Sequence, residues 1–317
     1  MFFVYLNRTK KRAMKKNVLI SGGTGFVGKH LTQLLIANGF SVSILSRSKK
    51  TNTESIFYYT WDVERQTIDA EAVQKADYII HLAGENIAEK PWTKKRKESI
   101  LSSRVLSAQL IYKSVQENVK KPEAFISASA VGIYGAINGR AICMEDMQPA
   151  NDFLGVTCQK WEAASDPFEK LGIRTVKIRT GLVLGKNEGL LKKLSPVFKF
   201  RLGSVLGSGE QYMPWIHIAD LTSIYLESIK NAEMSGAYNA VITDDTNNKL
   251  FSKTLAKVYG YSIWLPNVPS FLLQFTLGEM SKLLLKGRRV SNAKLLNLGF
   301  QFVHTNLETT IKNCLSK

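Results

Sequence analysis

The chain has 317 residues, of which 44% are hydrophobic, enough to bury a large core in one wound α/β domain with a smaller appendage. Its formal charge is +17, but Arg8, Lys10, Lys11, Arg12, Lys15 and Lys16 precede the first expected strand with no acid among them, and subtracting those six leaves +11. That remainder carries no RNA-binding aromatic signature and no zinc-finger spacing, so general attraction for anions is expected rather than specific nucleic-acid recognition.

Residues 1 to 13 put their apolar side chains before their charges, the reverse of a secretory signal, and are too short to span a bilayer. They are expected to be a disordered extension or the product of an over-long gene model, with Met14 a natural start. Cys143, Cys158 and Cys314 stand alone, as reduced thiols of a cytoplasmic protein do, and the four histidines are scattered without metal-ligand spacing.

From Val18 to Leu31 the sequence VLISGGTGFVGKHL reads as a buried strand, a glycine turn and the start of an amphipathic helix. Gly22, Gly25 and Gly28 fit GxxGxxG, and Gly23, Gly25 and Gly28 fit GxGxxG. A dinucleotide needs this pattern: a tight turn, backbone free to approach the diphosphate, and a helix whose first amides face it. A NAD enzyme places an acid at the end of the next strand; here SVSILSRSKK supplies Ser46, Arg47, Ser48, Lys49 and Lys50. A guanidinium fork suits a 2′-phosphate, so NADP is expected over NAD; a solvated basic loop is the alternative.

Further strands are expected at 41–46, 55–61, 77–83, 124–130 and 174–180, with helices over 93–118 and 153–171. The alternation calls for a parallel sheet with crossover helices, a doubly wound Rossmann fold, over residues 14–186. After Gly185 glycine-rich turns and a basic helical stretch point to a smaller lobe over 187–317, with segments near 214–242 returning to the sheet. The ligand cleft is expected between the lobes, at the carboxyl ends of the strands.

The stretches ISGGTGFVG, HLAGENIAEKPWTKKRKESILSSRV, SASAVGIYG, KIRTGLVLG, PWIHIADL and GEMSKLLLKGRRV with LLNLGFQF resemble an extended short-chain dehydrogenase/reductase. The likeness is greatest to an atypical branch of NAD(P)-dependent sugar-nucleotide epimerases with a small uncharacterised C-terminal domain, and runs from Met14 to Leu315. The resemblance implies cofactor contacts at Gly22, Thr24, Gly25, Phe26, Val27 and Gly28, and after the second strand at Ser46, Arg47 and Ser48. It further implies contacts at Asp62 and Val63 beside the adenine, along Leu82, Ala83 and Gly84, and at Gly181 near the nicotinamide.

Such enzymes use a tyrosine as acid or base, assisted by a lysine four residues later. No Tyr-x-x-x-Lys occurs here. Alignment by WEAA puts Leu154 and Cys158 at the pair, and alignment by IYG puts Ala130 at the usual serine, with Ser129 one step earlier. Arg104 stands at the family's helix asparagine, as a holder of phosphate or of a substrate anion, or as one half of a surface ion pair.

Substitute catalytic groups are Tyr134, expected to point into the cleft or to pack at a strand end, Glu85, a proton-transfer group or a loop cap, and Ser129. Asp220 is expected to cap the helix after PWIHI while His217 fixes the loop; Lys286, Arg288 and Arg289 meet a diphosphate or lie in water. Two functions follow: an NADP-dependent oxidoreductase or epimerase-like enzyme moving hydride to or from a small polar, nucleotide-linked substrate, or a non-catalytic NADP-binding sensor or scaffold.

Overall fold

In the computed structural model the described residues run from 15 to 316, so the expectation for 1 to 13 lies outside them. Twelve strands occur among these: β1 (Asn17–Ser21), β2 (Ser41–Ser46), β3 (Ile56–Asp62), β4 (Thr67–Ile68), β5 (Tyr78–His81), β6 (Ala124–Ala130), β7 (Gly139–Cys143), β8 (Arg174–Thr180), β9 (Leu182–Gly185), β10 (Trp215–His217), β11 (Gly236–Ala240) and β12 (Arg288–Val290). Eight form one sheet in the order β11-β8-β6-β5-β1-β2-β3-β4, parallel throughout except that β4 runs against β3.

The central strands are near-continuous apolar runs because both their faces are covered. Val18 and Ile20 of β1 pack with Ile80, Ile126 and the helix residues Leu31 and Leu35 on one face. Leu19 packs with Ile79, Phe125, Leu110 and Ile111 on the other. Each such side chain, fully removed from water, contributes roughly 1.5–3 kcal/mol before entropy is counted. The crossover helix Lys94–Glu117 starts at Thr93, whose hydroxyl accepts from the Arg96 amide at 3.1 Å.

The run 153–171 is two helices, not the single one expected: Phe153–Ala163 and Pro167–Lys170. Pro167 has no amide to continue the ladder, so the first helix stops before it. The strand expected over 77–83 ends at His81, because Leu82 and Ala83 leave the sheet to lie against Gly22.

Outside the main sheet the chain builds two short parallel pairs, β9 with β10 and β7 with β12, that sequence periodicity did not reveal. Leu184, Leu191, Phe198, Trp215, Phe251 and Ile311 gather into a separate apolar cluster beside the main sheet. At the turn from β10 into the helix Ile218–Lys230 the expected roles are exchanged. His217 caps the helix, its Nδ1 accepting from the Ala219 amide at 3.2 Å, and Asp220 instead accepts from the Val303 and His304 amides, both at 2.9 Å. A carboxylate in the first turn of the helix, not needed as its cap, reaches outward and ties down the C-terminal segment.

Candidate functional site

The turn from β1 into the helix Phe26–Ala37 is built around glycine. Gly22 has φ +75°, and a Cβ there would lie 2.9 Å from the Ala83 amide nitrogen and the Leu82 carbonyl carbon. A Cβ on Gly28 would come within 2.4 Å of the Gly22 carbonyl oxygen, so only glycine lets the helix sit this close to the turn. Thr24 and Gly25 are exposed at the tip, and Phe26 packs its ring against Gly185 and Gly189.

The helix that follows has no side-chain cap at Gly25 and no acid in its first turn. The Phe26, Val27 and Gly28 amides precede the first residue that can bond back along the helix, so this end offers donors and positive dipole to an anion. The diphosphate of a dinucleotide fits such a cradle.

Neighbouring strand ends converge on it. Ser46 closes β2 in a buried position, with Arg47, Ser48, Lys49 and Lys50 exposed beyond it. Asp62 ends β3, its carboxylate accepting from the Glu64 and Arg65 amides at 2.9 and 3.0 Å, and Val63 packs on the core behind. Leu82, Ala83 and Gly84 follow β5. Beneath them His81 is buried and held between the Ser21 and Ser107 hydroxyls at 2.6 and 3.2 Å, and burial pushes its pKa down to about 4.

A cavity of about 520 Å3 opens at the carboxyl ends of β6 and β8 and reaches into the C-terminal lobe. Ala130, Leu154 and Cys158, which the sequence alignment sets at the serine, tyrosine and lysine positions, all line it. Burial and the nearby Glu162 charge push the Cys158 thiol up to about 12, leaving it neutral. Gly181 lines the cavity where a Cβ would strike the Pro214 carbonyl oxygen at 2.5 Å.

Arg104 is the charged group at this end. It is buried, its guanidinium lies 4.7 Å from the Trp161 ring centroid, and it donates to the Ile100 and Glu85 carbonyls at 2.8 and 3.0 Å. No carboxylate pairs with it among the described residues, and burial lowers its pKa without threatening its charge.

The three expected catalytic groups do not share this cavity. The Tyr134 hydroxyl, on the turn after β6, does not point into the cleft: it donates to Asn239 Oδ1 at 2.7 Å and accepts from Arg179 Nη1 at 3.0 Å. Burial, opposed by the Arg179 charge, pushes its pKa up to about 12. Ser129 donates to Glu162 Oε1 at 2.6 Å, on the same buried network. Glu85 is engaged by the Arg96 guanidinium and by the Ser99 hydroxyl, which donates to it at 2.6 Å.

Sequence reading missed Glu162 and the Trp161 shelf under Arg104. The available signal was WEAA: Glu162 falls four residues after Cys158 on one helix face, where a buried carboxylate needs a cation.

Residues 18–241 match the NAD dependent epimerase/dehydratase family, and residues 268–314 match a domain of unknown function (DUF1731). Epimerase family protein YfhF of Bacillus subtilis is 36% identical over 95% of this chain and 98% of its own. The crystal structure of human epimerase family protein SDR39U1 with NADPH superposes with a TM-score of 0.83 at 30% identity, over 94% of this chain and 98% of that one. A nucleoside-diphosphate sugar epimerase from Corynebacterium glutamicum gives 0.77 at 32% identity, over 95% of this chain and 58% of that one.

Proposed function

The chain belongs to the NAD dependent epimerase/dehydratase family, and from that premise we propose that it is an NADP-dependent oxidoreductase whose substrate oxygen is held by Arg104 in place of the usual tyrosine and lysine. A nicotinamide dinucleotide is the family's cofactor, and the human relative's structure contains NADPH. The observation that carries the reading is the uncapped helix after Gly22 and Gly25 together with a cavity at the strand ends that Arg104 lines.

The glycine turn and the Phe26, Val27 and Gly28 amides would hold the diphosphate. Arg47, exposed at the end of β2 with no acid beside it there, would take the 2′-phosphate, supported by Ser46 and Ser48. Asp62 and Val63 would border the adenine, and Leu82 to Gly84 the linking ribose. When bound, the nicotinamide ring supplies or accepts the hydride.

Around the reacting carbon this chain contributes little proton chemistry. Leu154, Ala130 and the neutral Cys158 thiol form an apolar wall that strengthens any charge interaction beside it. The Arg104 guanidinium would stabilise negative charge that develops on the substrate oxygen, as an oxyanion hole does. The proton that balances the hydride would come from, or return to, water entering through the exposed mouth of the cavity.

The test is NADPH oxidation by the full chain against a panel of aldehydes and ketones, repeated with Arg104→Met. Arg104→Met is expected to cut turnover by about 10²-fold while NADPH affinity stays within a few-fold. A second reading, a non-catalytic NADP sensor, is favoured by the absence of any acid or base at Ala130, Leu154 and Cys158. Tight NADPH binding with no turnover on the whole panel would select it.

A further inference from the structure

The cavity beyond Arg104 has a chemistry of its own. Its volume of about 520 Å3 falls in the range of roughly 300–1,000 Å3 that takes ligands of drug size. Leu190, Leu194, Phe198, Met213, Leu283 and Leu284 dominate its walls. The apolar surface continues to the mouth, where Val197 and Leu202 line the cavity while remaining 45% and 56% exposed.

Several polar side chains on the wall are already spent within the protein. Gln211 Nε2 donates to the Leu206 and Leu284 carbonyls at 3.0 and 2.7 Å. The Thr157 hydroxyl donates to the Phe153 carbonyl at 2.6 Å, and Asn248 Oδ1 accepts from the Leu206 amide at 2.8 Å. A sugar ring burying several hydroxyls here would find few of these groups free to pair with them.

Two wall donors are short of a partner among the described residues, the Trp161 indole Nε1 and the charged Arg288. Arg288, on β12 beside the exposed Lys286, reaches only sulfur with its Nη1, Cys143 Sγ at 3.8 Å and Met147 Sδ at 3.7 Å. Its Nε is buried with no hydrogen-bond acceptor among the described residues. A guanidinium left without a carboxylate, on an otherwise apolar wall, is suited to an anion brought by the ligand.

We infer that the cavity takes an elongated apolar ligand with a single anionic group, the apolar body between the helix Gly189–Lys199 and Leu283–Leu284 and the anion at Arg288 and Lys286. The apolar wall argues against the polar, nucleotide-linked substrate expected from sequence. Calling this ligand the substrate rests on the oxidoreductase reading; its binding does not.

Calorimetric titration of the full chain with decanoate, decanol and UDP-glucose tests the inference, with NADPH titrated in parallel. Decanoate is expected to bind, decanol to bind more weakly, and UDP-glucose to give no heat. Arg288→Gln should weaken decanoate by about tenfold and leave decanol unchanged. Leu194→Trp, which fills the cavity, should abolish both, and in either variant an unchanged NADPH titration shows that the fold is intact. No heat with decanoate, decanoate binding indifferent to both substitutions, or binding of UDP-glucose in its place would overturn the inference. Decanoate binding with no NADPH binding would instead defeat the oxidoreductase reading and leave the cavity assignment standing.

Discussion

The Arg179 guanidinium and the Glu162 carboxylate meet at two points in the protein interior, Nε to Oε1 at 2.9 Å and Nη2 to Oε2 at 3.0 Å. Burial works against the Arg179 charge, but the bonds to Glu162 outweigh it and raise its pKa. The pair joins β8 to the helix Phe153–Ala163 beneath the cavity floor, with Ser129, Tyr134 and the Glu145 carbonyl as further partners. Glu162→Ala leaves a buried cation unopposed and is expected to cost about 3–5 kcal/mol in denaturant unfolding. The double replacement Glu162→Met with Arg179→Met should recover most of it.

Tyr134 belongs to that network, so its removal should be a stability defect before it is a catalytic one. Tyr134→Phe is expected to lose about 1–2 kcal/mol, because Asn239 and Arg179 each lose a partner. Turnover per folded molecule should stay within about twofold. A loss of several hundredfold in steady-state assays would return Tyr134 to the reaction.

Gly28→Ala places a methyl 2.4 Å from the Gly22 carbonyl oxygen, and neither backbone can move without opening the turn. The expected cost is about 1–3 kcal/mol in thermal unfolding, together with at least a tenfold loss of NADPH affinity.

The pH dependence follows from His81. Its pKa falls from 6.5 to about 4 on folding, so below pH 6.5 the unfolded chain takes up a proton that the native state refuses. This contribution is therefore fully present above pH 6.5 and is lost as pH falls toward 4, by up to about 3 kcal/mol. His217, lowered to about 4 by burial and by the stacked His304, acts with the same sign. His81→Asn should flatten the acid limb of stability against pH; an unchanged limb would show that other groups set it.

Much of the fold was legible because its signals are local. The strands 41–46, 124–130 and 174–180 are β-branched or apolar runs covered on both faces, and their expected limits match those observed. The glycine turn was legible because its spacing is local, and Gly28 answers a contact with Gly22 six residues earlier, although Gly22 itself answers to Leu82 and Ala83. What could not be read depends on partners far apart in the chain. Arg288 meets Cys143 across 145 positions, and Tyr134 finds Asn239 across 105. Tyr134 also sits on a single 3-10 turn, Val131–Tyr134, where strand alternation no longer says which way a side chain points. Asp220 looked like a cap by its place in the sequence, and only the return of residues 303 and 304 shows its work.

The account stands on a coenzyme held by Gly22, Gly25 and Gly28 and selected by Arg47, and the direct measurement is calorimetric titration of the stripped full chain with NADPH and NADH. NADPH should bind at least about tenfold tighter than NADH, and Arg47→Ala should remove that preference by weakening NADPH alone. No heat with either nucleotide, or tighter binding of NADH that ignores Arg47→Ala, would contradict it.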